Sequence, residues 1–126
     1  LFPYTTLFRS TLRYSGDLTG AEAILERYEL TTDGLRITPT VEGGVLSHFV
    51  VPLLVTDGAG KSSIERLDDG FRVTYEGAVY EARIDDVTGI DIVLDCKQRP
   101  NINGIYQLGK FVGDVGGRTF TLTLAR

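Results

Sequence analysis

The sequence is poor in the residues that staple, ligate or stack. It has a single cysteine, Cys96, so no intrachain disulfide can form and the fold must be held by its core. His48 is the one histidine, whereas a zinc site of the usual kind needs three or four His, Cys or carboxylate ligands. No metal site and no cofactor are expected. Tryptophan is absent, which removes the best ring for stacking on the apolar face of a pyranose. Lys and Arg number 13 against 17 Asp and Glu, for a net charge of −4. No dense basic run offsets that balance, and a nucleic-acid partner needs a basic face to displace phosphate counterions. The longest apolar run, Val45 to Val55, is interrupted by Ser47, His48 and Pro52 and falls short of the roughly 20 residues of a membrane span. Neither nucleic acid nor membrane is therefore an expected partner. Asn101 and Asn103 do not begin Asn-x-Ser/Thr acceptors.

What is present reads as one globular domain. The chain is 42% hydrophobic and 24% charged, which is ordinary for a folded soluble protein. Its first ten residues, LFPYTTLFRS, resemble the translation of a widely used short-read sequencing adapter, CTC TTT CCC TAC ACG ACG CTC TTC CGA TCT. Residues 1–10 are accordingly set aside as a scar, and losing Arg9 makes the remainder one unit more negative. Residues 11–126 are then expected to form a single domain, the C-terminal fragment of a longer chain whose upstream codons and any address label were cut away.

Turn dipeptides punctuate the chain: Asp33-Gly34, Asp57-Gly58, Asp69-Gly70, Glu76-Gly77 and Gly116-Gly117. Such pairs tolerate the positive φ that tight hairpin turns demand. The runs between them alternate with period two. RTFTLTLAR sets Phe120, Leu122 and Leu124 against three threonines. AVYEARI places Ala78, Tyr80, Ala82 and Ile84 inward, and FRVTY does the same with Phe71, Val73 and Tyr75. IDIVLD sets Ile90, Ile92 and Leu94 against Asp91 and Asp95, with Val93 on the polar side implying partial cover. Half-buried alternation is the mark of antiparallel sheets. TGAEAILERYEL carries a capping-box pattern, Thr19 with Glu22, yet Tyr28 and Leu30 alternate into the next turn. A strand from about Arg27 to Thr32, with a short helical turn before it, is the expectation. The fold class is all-β, an antiparallel β-sandwich of about eight or nine strands.

VLSHFVVPLLV is apolar on both faces. Such a strand is either central in a sandwich or covered by something outside the domain, and Pro52 argues for an edge. This makes His48, Val50 and the aromatic Tyr106 candidates for an interface or ligand surface.

No constellation points to catalysis. GKS after VVPLLV resembles the end of a phosphate loop, but the first glycine of G-x-x-x-x-G-K-[ST] falls on Val55. A Ser/His/Asp triad would need Ser47 to reach His48, and adjacent strand residues point to opposite faces. Asp85, Asp86, Asp91 and Asp95 cluster without the D-x-[DN]-x-[DN]-G spacing of a calcium loop, and read as a turn and the wet side of a strand.

RYELTTDGLRITPTVEGG, VVPLLVTDG and FRVTYEGAVYEARI, spanning Arg27 to Ile84, resemble the C-terminal β-sandwich of helical-barrel polysaccharide lyases and related glycoside-degrading enzymes. In such families the barrel supplies most of the catalytic residues. The resemblance implies a non-catalytic accessory domain in a secreted or periplasmic carbohydrate-processing parent. Its partners would be the N-terminal catalytic domain of the same chain and a polysaccharide. The alternative is a stand-alone glycan- or protein-binding module.

Overall fold

The computed structural model describes residues 6–15, 23–32, 34–56, 58, 60–95, 97–101 and 104–125. They form an all-β, antiparallel two-sheet sandwich of eleven strands, and no helix occurs among them. In chain order these are β1 (Thr6–Ser15), β2 (Ala23–Thr31), β3 (Leu35–Glu42), β4 (His48–Thr56), β5 (Ser63–Leu67), β6 (Gly70–Tyr75), β7 (Ala78–Ile84), β8 (Asp91–Leu94), β9 (Arg99–Asn101), β10 (Gly104–Val112) and β11 (Phe120–Ala125). The larger sheet has seven strands in the order β1-β2-β3-β11-β7-β6-β5. The smaller has four: β4-β10-β8, with β9 also paired to β10.

Two strands exceed the expected number for clear reasons. β1 runs without a break across residues 10 and 11, where the domain was expected to begin, with Arg9 opposite Glu29 and Arg13 opposite Leu25. β9 has only three residues and no alternation to betray it. The stretch before Arg27 also differs from expectation where it is described: Ala23 onward is already strand, paired residue for residue with β3. A sheet partner on each side outweighs the helical spacing of Ile24, Leu25 and Tyr28. Thr19, Glu22, Asp33, Asp57 and Cys96 lie outside the described residues.

The turns show how local chemistry sets register. Tyr75 pairs with Ala78, and both intervening residues have positive φ, 50° at Glu76 and 80° at Gly77, the geometry that matches the twist of the flanking strands. Asp69-Gly70 behaves otherwise. Leu67 pairs with Gly70, so the turn is Asp68-Asp69 and Gly70 opens β6. Glycine is needed there for closeness: a Cβ would lie 1.9 Å from the carbonyl oxygen of Ala82.

The inward residues form one core in which Phe71, Phe111, Phe120, Leu53 and Val115 are fully buried. Four phenylalanines knit the sheets together. Phe111 of the small sheet meets Phe71 and Phe120 edge-on at 5.5 and 4.9 Å, and Phe49 stacks on Phe120 at 3.9 Å. β10 can approach this closely because Gly109 faces Phe71, where a Cβ would sit 2.7 Å from the ring. At the sheet edges, the Arg66 guanidinium donates to the Ile92 carbonyl at 2.9 Å and ties β5 to β8.

The small sheet covers only part of the large one. β4 starts where His48 and Phe49 share a pocket with Ile24 and Pro39, and ends at Thr56, which bridges Lys61 ahead of β5. Strand ends beyond that cover are wet, as Leu124 shows: it keeps the inward parity of Phe120 yet is 63% exposed.

Candidate functional site

β4 is an edge strand of the small sheet, as Pro52 suggested, since a missing N–H costs nothing on an unpaired side. Its parity sends Val51 and Leu53 into the core. Val50, Pro52 and Leu54 therefore point the other way, away from the large sheet. His48 shares their parity, and at the strand's start it also borders the pocket with Ile24 and Pro39. Register with β10 places Val112 opposite His48, Lys110 opposite Val50, Leu108 opposite Pro52 and Tyr106 opposite Leu54. β8 adds Val93 opposite Lys110 and Asp91 opposite Val112. His48, Val50 and Tyr106 thus share one face.

That face is largely apolar and open. Val50, Val93 and Val112 are 37%, 41% and 37% exposed. Its one central cation is held down: Lys110 lies 3.3 Å from the Asp95 carboxylate, which Arg99 also approaches at 3.4 Å. Asp95 titrates below the usual carboxylate range, chiefly because the Lys97 backbone N–H donates to it. Sequence reasoning missed Val93 as part of this surface, assigning it partial cover. In the structure it is 41% exposed, and among the described residues β8 pairs only with β10. Leu108 and Val112 were missed as well, although the alternation of Tyr106, Leu108, Lys110 and Val112 in IYQLGKFV could have found them.

One expectation is overturned. Ser47 does reach His48: its Oγ lies 3.1 Å from Nδ1. The rule of alternating faces fails here because Ser47 precedes the first residue of β4 and is not part of the pleat. Both residues are exposed, and no carboxylate among the described residues hydrogen-bonds to the imidazole, so the third member that orients a nucleophile's base is not assembled.

The remaining motifs resolve into structural roles. Gly60, Lys61 and Ser62 link β4 to β5, and the Ser62 N–H donates to the Val55 carbonyl at 2.8 Å. This is a hairpin-like return, without the helix N-terminus a phosphate loop requires. Asp85 accepts the Thr119 N–H at 3.1 Å, and Asp86 accepts that of Thr88 at 3.0 Å. Among the described residues no three His, Cys, Asp or Glu converge on a point a metal could occupy.

Compared with known proteins, the chain matches no family model, no curated protein and no solved structure.

Proposed function

We propose that this chain is a non-catalytic accessory β-sandwich of a carbohydrate-active enzyme, of polysaccharide lyase or glycoside hydrolase type, and that the outer face of its small sheet packs against the catalytic domain. The observation that carries the reading is the apolar face built by Val50, Pro52, Leu54, Val93, Leu108 and Val112. Exposed apolar patches of this kind mark interaction surfaces. A folded domain is the fitting occupant because the face is a flat sheet surface and not a groove. The carbohydrate assignment is supported by the resemblance of Arg27 to Ile84 to such sandwiches.

Sedimentation velocity over a concentration series tests the docking surface. The isolated chain is expected to self-associate as concentration rises, and Val50→Asp to suppress this. A chain that stays monodisperse throughout, unchanged by Val50→Asp, contradicts the reading. The parentage is tested by sequencing the source DNA upstream of Thr11: codons for a helical barrel support it, and a start codon there contradicts it.

A second reading, a stand-alone glycan- or protein-binding module, is favoured by Tyr106, an aromatic on the same face opposite Leu54. Saturable glycan binding lost on Tyr106→Ala would establish it in place of the first.

A further inference from the structure

Where the two sheets part beside β4, a pocket of about 220 Å³ opens, lined by Ile24, Glu26, Pro39, Leu46, His48, Phe49 and Val115. Apart from Glu26 and His48 its walls are apolar, and Phe49 is stacked on the buried Phe120 at 3.9 Å. Into this setting the sheet places a carboxylate. Glu26 lies opposite Pro39, two residues from Ile24 and from Tyr28, and Tyr28 is opposite the core residue Ile37. It therefore occupies an inward position that its neighbours fill with apolar or aromatic side chains.

The carboxylate is only partly served. The Tyr28 hydroxyl donates to one oxygen at 2.9 Å. None of the ion pairs among the described residues involves Glu26. The next residue, Arg27, points to the opposite face of the strand. A half-buried carboxylate with one neutral donor, among walls that are apolar except for His48, which bonds to Ser47, leaves a place for a positive donor on an apolar body. The volume is below the roughly 300 to 1,000 Å³ of drug-sized sites, so the occupant is small.

We infer that this pocket is a binding site for a small organic monocation, an ammonium group on an apolar body of fragment size, with the ammonium on Glu26 and the body against Phe49, Leu46 and Val115. The site is independent of the docking reading. It lies in the seam between the sheets, and none of the six residues that build the docking face lines it.

The test is an NMR titration of the purified chain with phenethylamine, alongside its neutral analogue 2-phenylethanol. Saturable amide shifts are expected at Glu26, Leu46 and Val115, with the amine binding about tenfold more tightly than the alcohol, as befits one charge-assisted hydrogen bond. Glu26→Gln should equalise the two affinities, and Leu46→Trp should fill the pocket and abolish both. Should Leu46→Trp perturb the fold, Glu26→Gln alone decides. Shifts that never saturate, shifts that map elsewhere, or an amine preference that survives Glu26→Gln each overturn the inference.

Discussion

The two outer faces of the sandwich are made by the same alternation and finished in opposite ways. On the large sheet the outward residues form a charge ladder: Glu65, Arg72, Glu81, Arg83 and Asp69, with Arg72 2.6 Å from Glu81 and Arg83 2.6 Å from Asp69. Towards its middle stand threonines, Thr38 and Thr119 sharing a hydrogen bond at 2.8 Å. On the small sheet the equivalent positions hold Val50, Pro52, Leu54, Leu108, Val112 and Val93 around Lys110, which Asp95 pairs, with His48, Asp91 and Tyr106 towards the strand ends. Both faces cover the same core, so core stability does not explain the contrast. The first is finished with paired charges, whereas the second leaves Val50, Val93 and Val112 exposed, the feature on which the proposed docking rests.

The largest expected effect removes what the two faces share. Phe111→Ala empties the centre of the phenylalanine cluster and should cost about 3–5 kcal/mol, a large part of the roughly 5–15 kcal/mol that holds a domain together. Urea unfolding should show a sharply lowered midpoint or no folded baseline. A cost under about 1 kcal/mol, that of a substitution outside the core, would mean that Phe111 does not bridge the sheets.

Gly109→Ala comes next, because its Cβ must enter the space of the Phe71 ring. Overpacking of this kind costs about 1–3 kcal/mol. Phe71→Leu in the same chain should recover part of the loss in a double-mutant cycle. Simple additivity of the two would show that they do not meet.

The charge ladder should contribute less and be sensitive to acid. Hydrogen bonds from Arg83, and then from Arg72, hold the Glu81 carboxyl below its ordinary value. A carboxyl with a depressed folded value adds stability above its ordinary range, and loses it as the pH falls through the folded value. The thermal unfolding midpoint should therefore fall as the pH drops below the usual carboxylate range, and Glu81→Gln should flatten that slope. Raising the salt concentration should have a similar, milder effect. An unchanged slope in Glu81→Gln would assign the acid sensitivity to Asp86 or Asp95, both also held below their ordinary values, mainly by backbone N–H groups.

The part of this that was legible beforehand was the part governed by local rules. Period-two alternation identified Phe71, Val73, Ala82, Ile84, Ile92 and Phe120 as inward, and all six are buried. Glu76-Gly77 announced a turn that needs positive φ, and it has one. The doubly apolar run left a central or an externally covered strand open, and Pro52 pointed to an edge or a bulge; β4 is an edge strand. What was not legible depends on neighbours distant in the chain. Leu124 keeps the right parity but outruns the cover of the small sheet. Asp69-Gly70 slipped by one residue because Gly70 answers to the Ala82 carbonyl and not to a turn. Ser47 met His48 because the strand began at His48, three residues after the start of the apolar run at Val45. Glu26 in its pocket was hidden for the same reason, since the wall opposite it comes from residues 46 to 49 and Val115.

The smallest expected change in stability belongs to the pair of substitutions that tests the central contrast most directly. Val50→Asp and Thr121→Asp each put one carboxylate on an outer face, and each should alter stability by no more than about 0.5 kcal/mol. The measurement is the fluorescence of a hydrophobic dye with the two variants and the parent chain at equal concentration. If the small sheet carries a docking surface, the parent binds dye, Val50→Asp loses most of that signal and Thr121→Asp keeps it. Equal signals from all three, or equal losses in both variants, would contradict the distinction between the two faces.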